Sequence, residues 1–186
     1  MTQLPSHLGG HENETHIDRG ALRYLIDNLE IKSVVDIGCG PGGMIQCCLN
    51  EGIEDVIGLD GDFTIERPDQ IALRTAIHDF TTGPYQLDKI YDLAWSVEFV
   101  EHVEEKYMQN FIDVFKQCKY VLMTHAFPGQ PGHHHVNCQH AEYWLNVMEK
   151  NGFEPRPFTL QNVRAASTMK ERYVRQQSLF FKNGRI

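Results

Sequence analysis

Val34-Val35-Asp36-Ile37-Gly38-Cys39-Gly40-Pro41-Gly42-Gly43 is the stretch on which the fold turns. Its first four residues, with Ser33, form a short apolar run suited to a buried strand, with the acid Asp36 near its end. Gly38 and Gly40 then allow a tight turn and the close approach of a ligand to the backbone, and the helix expected to follow offers free amides at its N-terminus. Gly38, Gly40 and Gly43 also satisfy the literal G-x-G-x-x-G spacing of dinucleotide binders. Two features turn that match away from NAD. Asp36 sets a carboxylate beside the loop, which suits a cationic ligand better than a pyrophosphate, and Pro41 removes one amide from the turn.

Working outward from this stretch, strands and helices alternate. Upstream, Thr15 and Asp18 have capping-box spacing, and Ala21, Leu22, Leu25, Ile26 and Leu29 form the apolar stripe of a helix. Downstream, Met44, Ile45, Cys48 and Leu49 give a second helical face, and residues 55–59 a strand that ends at Asp60-Gly61-Asp62. Strands are expected over 71–77, ending at His78-Asp79-Phe80, over 90–95, ending near Ser96, and over 119–124. Met108, Phe111, Ile112 and Phe115 mark one intervening helix; Trp144, Leu145 and Met148 mark a later one, stopped by Asn151-Gly152. The remainder reads as a weak strand near Phe158, a helix around Lys170 and a last strand over 178–181. This alternation means an α/β fold with a mainly parallel sheet between helical layers, in which ligands bind beyond the carboxyl ends of the strands.

With those strand ends in view, the chain resembles the class I S-adenosylmethionine (SAM)-dependent methyltransferases. The acid and glycine loop from Asp36 to Gly40 match the family's first motif, and Asp60 stands about twenty residues later at the end of the second strand. Ser96-Val97-Glu98-Phe99-Val100-Glu101-His102-Val103 resembles the family's segment after the fourth strand. The resemblance implies a Rossmann-like, seven-stranded, mostly parallel sheet with helices on both faces and an antiparallel last strand, in one domain over residues 1–186. It implies SAM as cofactor, with Asp36, Gly38, Cys39 and Gly40 at the loop and Asp60 with Gly61 on the ribose. Asp79 and Phe80 would lie at the adenine, and Ser96 and Val97 beside the fourth strand's end. Against these roles stand plainer ones: Asp60, Asp62 and Asp79 as turn formers, Cys39 as a small buried filler, Glu98 and Glu101 as solvated charges at a helix start.

Composition narrows the acceptor. The chain has 186 residues and carries −8 overall. Residues 154–186 hold seven basic side chains against Glu154 and Glu171, so residues 1–153 carry −13. So acidic a body disfavours tracking along duplex DNA, and no Asn-Pro-Pro-Tyr-like motif of amino-directed nucleic-acid methyltransferases follows the fourth strand. The basic end reads as a solvated helix face and a last strand blunted by charge. Residues 1–20 lack the apolar core of a signal peptide, no apolar run approaches a bilayer span, and five cysteines without zinc-ribbon spacing read as reduced thiols of a cytoplasmic protein.

The expected acceptor is therefore a small-molecule or sugar hydroxyl. Such a nucleophile needs a base, and His102, His135 and His140 are the candidates. The segment 7–16 and the loop 127–140, both containing histidine and glycine, are expected to close over the strand ends as a lid. Two alternatives remain at this stage: an NAD-dependent oxidoreductase, and a SAM- or metal-binding module without methyl transfer, the latter drawing on His133-His134-His135, Cys138 and His140.

Overall fold

The computed structural model describes residues 3–186, so the first two positions of the polar N-terminal stretch lie outside it. At its centre is β1 (Ser33–Ile37), buried along its whole length. On one side it pairs in parallel with β2 (Asp55–Asp60), which pairs with β3 (Thr75–Ile77). On the other it pairs in parallel with β4 (Tyr91–Ser96), followed by β5 (Cys118–Thr124). The sheet closes with β6 (Phe153–Pro155) and β7 (Ser178–Asn183) in the order β3-β2-β1-β4-β5-β7-β6, and β7 runs antiparallel to both of its neighbours. The chain reverses its direction of winding between β1 and β4, which makes the carboxyl ends of these two strands the switch point where such sheets bind ligands.

Both faces of the sheet are covered, which is why its strands read as continuous apolar runs. Val34, Leu93, Leu122 and Phe180 face one helical layer, formed by α1 (Arg19–Leu29), α2 (Gly43–Asn50), α6 (Pro157–Ala166) and α7 (Tyr173–Gln177). Their neighbours Val35, Ala94, Val121 and Phe181 face the other, formed by α4 (Met108–Phe115) and α5 (Ala141–Lys150). A strand that turns successive side chains to opposite faces can then be apolar at consecutive positions.

Local chemistry revises several expectations. The Thr15–Asp18 capping box does not form. The Asp18 carboxylate caps α1 by accepting from Ala21 N–H at 3.0 Å and also from Thr168 N–H at 2.8 Å, while Thr15 Oγ1 accepts from Gly43 N–H, in the first turn of α2. The strand expected over 71–77 is two elements. Pro68 leads into a single helical turn, α3 (Asp69–Ala72), which buries Ile71, and only Thr75–Ile77 joins the sheet. Phe158 lies in α6, whose first turn holds Pro157, a position where the missing amide is harmless. The helix expected around Lys170 begins only at Tyr173.

The basic end is not a charged edge, since β7 is flanked by β5 and β6. Two of its cations satisfy carbonyls instead: Arg164 donates to Ser178 O, and Arg175 to the carbonyls of Met169, Lys170 and Glu171. Among the described residues no helix is long and apolar enough to cross a membrane.

Candidate functional site

The glycine loop is held by the strand beside it. Gly38 and Cys39 both donate their amides to Leu59 O, at 2.8 and 3.2 Å, so the turn is fastened to β2. Gly38 has φ +78°, and a Cβ there would meet the Phe99 ring at 2.7 Å. Gly42 has φ +88°, and a Cβ there would lie 2.3 Å from Ile71. Each position thus needs glycine for both its conformation and its space. Cys39 is buried, its thiol pushed well above the usual range by burial and by the nearby Asp36 and Asp60, and its sulfur packs where a side chain on Gly58 would stand. It is a filler, as its size suggests.

Three acids flank this loop in different states. Asp36 is 4% exposed and its Oδ2 has no hydrogen-bond partner; burial, reinforced by Asp60, raises its pKa to about 8. Asp60 accepts from Gly40 N–H at 2.7 Å and from Asp62 N–H at 2.8 Å. The guanidinium of Arg67, itself buried, stands 3.9 Å from Asp60 and donates to Gly40 O at 2.9 Å. Arg67 lies in a polar stretch without periodicity, and nothing in the sequence marks it. Asp79 accepts from Thr81 N–H at 2.8 Å and from His7 at 2.9 Å. Burial opposes its ionisation, but these bonds outweigh it and hold the pKa below the usual value. Phe80, beside it, is buried edge-on to His78 and Phe99.

The N-terminal segment and the histidine loop meet over these groups. His11 Nε2–H donates to Asp62 at 2.9 Å while its Nδ1 accepts from Asn13 N–H, which sets the tautomer. His133 donates to Leu8 O at 3.2 Å, joining the two segments directly. The side chain of His102 donates from Nδ1 to His133 O at 2.7 Å, and that of His135 from Nδ1 to Gln130 O at 3.0 Å, so each ring keeps Nε2 as its acceptor. The two rings meet edge to face at 4.9 Å. Burial pushes the His102 pKa down to about 4. His140 stands apart: it is exposed, occupies the N-cap of α5 and does not border the cavity described next.

A cavity of about 310 Å³ opens at the carboxyl ends of β1, β2, β3 and β4. Of the expected site residues it brings together Asp36, Gly38, Cys39, Gly40, Asp60, Gly61, Asp79, Phe80, Val97, His102 and His135. Ser96 is fully buried, its hydroxyl unpartnered, and lies behind the wall. Six carboxylates and eight histidines line the cavity, with no lysine or arginine, so an anionic guest would find no permanent counter-charge. Among the described residues no three His, Cys, Asp or Glu side chains converge so as to hold a metal ion.

Glu98 and Glu101 are not solvated charges. Glu98 borders the cavity with φ +54°, a left-handed conformation that costs a non-glycine residue about 1–3 kcal/mol. Thr124, at the end of β5, holds it there: its Oγ1 accepts from Glu98 N–H at 2.8 Å and donates to Glu98 Oε1 at 3.4 Å. Burial raises the Glu98 pKa to about 7. Glu101 is fully buried with both carboxyl oxygens unpartnered, and burial followed by the charge of Glu98 raises it to about 8. Their neighbours Val97, Phe99, Val100 and Val103 are apolar, and β5 and the loop that follows it hold the turn, through Thr124 and through the Val136 and Asn137 amides that donate to Glu101 O.

No protein-family model matches the chain, and no curated protein matches it in sequence. Its likeness is to solved structures. The methyltransferase domain of the bacterial CtHen1-CN is 19% identical, over 74% of this chain and 86% of that one, with a TM-score of 0.56. A SAM-dependent methyltransferase from Archaeoglobus fulgidus is 23% identical over 73% and 67%, with a TM-score of 0.54. The Burkholderia thailandensis 1,6-didemethyltoxoflavin-N1-methyltransferase, solved with S-adenosylhomocysteine, is 14% identical over 88% and 76%, with a TM-score of 0.61. The chain therefore has the class I SAM-dependent methyltransferase fold, with seven strands and one of them antiparallel.

Proposed function

We propose that this protein transfers a methyl group from SAM to the hydroxyl of a small molecule or sugar. The observation that carries the reading is the buried, unpartnered Asp36 oxygen beside the glycine loop, in a cavity at the sheet's switch point. A buried polar atom without a partner is costly unless a ligand supplies one. A cationic amino acid moiety fits it. Asp60 uses two of its roughly four lone-pair sites on the Gly40 and Asp62 amides, which leaves two for ribose hydroxyls. Gly38, Cys39, Gly40 and Gly61 would border the cofactor along the backbone, Asp79 and Phe80 would face the adenine, and Val97 would close the wall in front of Ser96. Bound SAM supplies a methyl carbon on a sulfonium sulfur, a leaving group that departs as a neutral thioether. His102 and His135, each with Nε2 as acceptor, would hold the acceptor hydroxyl, and His140 has no part.

The NAD reading is weaker, because a pyrophosphate would meet six carboxylates and no cation in this cavity. The same lining argues against a nucleic-acid backbone. Calorimetry with S-adenosylhomocysteine on the wild type and Asp60→Ala tests the assignment. Loss of charge-assisted hydrogen bonds of about 1.5–3 kcal/mol should weaken binding by about tenfold to a hundredfold. Unchanged affinity would remove Asp60 from the site.

A further inference from the structure

We infer that Glu98, rather than His102, takes the proton from the acceptor as the methyl group is transferred, and that the acceptor carries no negative charge there; this rests on the methyl-transfer reading above. Glu98 stands just beyond β4, the strand paired with β1 at the switch point, and borders the same cavity as Asp36 and Asp60. Its backbone is strained and it is half-buried at the cavity's edge, and strain of this kind clusters at ligand sites. Thr124 engages Oε1 only, and no hydrogen-bond partner for Oε2 is present among the described residues. Behind it, Glu101 keeps both carboxyl oxygens unpartnered, so the pair is an acid–carboxylate couple in which ionisation of one opposes ionisation of the other.

The charged and titratable surroundings favour the same assignment. Glu101 faces Glu98 from the turn that follows β4. Tyr173 faces it from α7, with a phenol pushed up by burial and by the charges of Glu98, Glu171 and Glu101. No lysine or arginine lines the cavity to hold Glu98 permanently ionised. Its pKa of about 7 matches a base working near neutral pH, whereas His102, at about 4, is a poor proton acceptor. His102 and His135 are then hydrogen-bonding residues that place the hydroxyl.

The step balances without an added reagent. The acceptor oxygen gains a bond to the methyl carbon, the pair of the broken carbon–sulfur bond stays on sulfur, and the hydroxyl proton passes to the Glu98 carboxylate and then to water. A lining without lysine or arginine disfavours a phosphorylated or carboxylated acceptor and suits an unphosphorylated sugar, a nucleoside or a phenol.

The test uses the full chain, methyl-labelled SAM and a panel of monosaccharides, nucleosides and phenols, each with its phosphorylated or carboxylated counterpart. With any compound that turns over, Glu98→Gln should lower kcat by about 10²-fold or more, leave S-adenosylhomocysteine affinity unchanged, and abolish an acidic limb in kcat/KM near pH 7. Turnover by Glu98→Gln within threefold of wild type, or preference for the anionic counterparts, would overturn the inference while leaving the methyl-transfer reading intact. Failure of wild type to bind S-adenosylhomocysteine would instead overturn that reading. A second measurement needs no acceptor: carbon-13 NMR titration of the Glu98 carboxyl in the S-adenosylhomocysteine complex, assigned by its loss in Glu98→Gln. Titration near 7 supports the inference, and titration near the ordinary value of about 4.3 overturns it.

Discussion

Raising the pH from 6 to 7 should tighten SAM binding, because the Asp36 carboxyl must ionise to meet a cation. Without ligand its pKa is about 8, raised first by burial and then by Asp60. A ligand that requires the carboxylate must therefore cover its ionisation below that pH, about 1.36 kcal/mol per unit. The dissociation constant at pH 6 should then exceed that at pH 7, where the amino group of SAM is still protonated, by about tenfold. Calorimetry at pH 6–7 should also show about one proton released per SAM bound, read as a binding enthalpy that changes with the ionisation enthalpy of the buffer. The free protein carries the same linkage with the opposite consequence. The folded state holds the Asp36 proton that the unfolded chain loses near 3.8, so the stability this group contributes is complete below 3.8 and is lost as pH rises through about 8. At pH 7 the loss amounts to about 4 kcal/mol. Asp36→Asn should flatten both dependences. Equal SAM affinity at pH 6 and 7, with no dependence on buffer, would refute the reasoning and place Asp36 away from the cofactor's charge.

Two further outcomes follow from the geometry. Gly42→Ala puts a Cβ 2.3 Å from Ile71 at φ +88°, so overpacking of about 1–3 kcal/mol and left-handed strain should together lower Tm by at least about 4 °C; an unchanged melting curve would mean that α3 yields freely. Replacing His7 and His11 together by alanine removes the hydrogen bonds to Asp79 and Asp62, and should speed amide exchange over residues 5–16 and S-adenosylhomocysteine release by about tenfold. Unaltered exchange there would show that the segment is held by Leu8 and Thr15 instead.

Much of the sheet was legible because its strands are buried on both faces. Val34 and Val35, or Phe180 and Phe181, are apolar at consecutive positions since each member of the pair belongs to a different layer. The glycine loop was legible for a local reason: its turns require glycine whatever surrounds them. The errors share a cause in long-range competition. Thr15 looked like a cap for α1 until its hydroxyl was taken by Gly43, 28 positions on. Ile71 read as a strand residue because burial against Gly42 demands the same side chain that a strand would. In the site, Asp36, Asp60 and Asp79 announce themselves by standing at strand ends. Arg67 does not, since its burial depends on Asp60 and the Gly40 carbonyl, and Glu101 reads as a charge at a helix start although the fold buries it without a partner. His140 stands where its position before a helix placed it, at the N-cap of α5, but that helix start lies outside the cavity's lining.

The central claim is that this cavity receives SAM. Calorimetric titration of the wild-type chain at pH 8 with SAM, and separately with NAD, tests it most directly. The account predicts saturable one-to-one binding of SAM and no heat of binding for NAD, whose pyrophosphate would face Asp36, Asp60 and Asp79 without a cation. Binding of NAD with no response to SAM would contradict it.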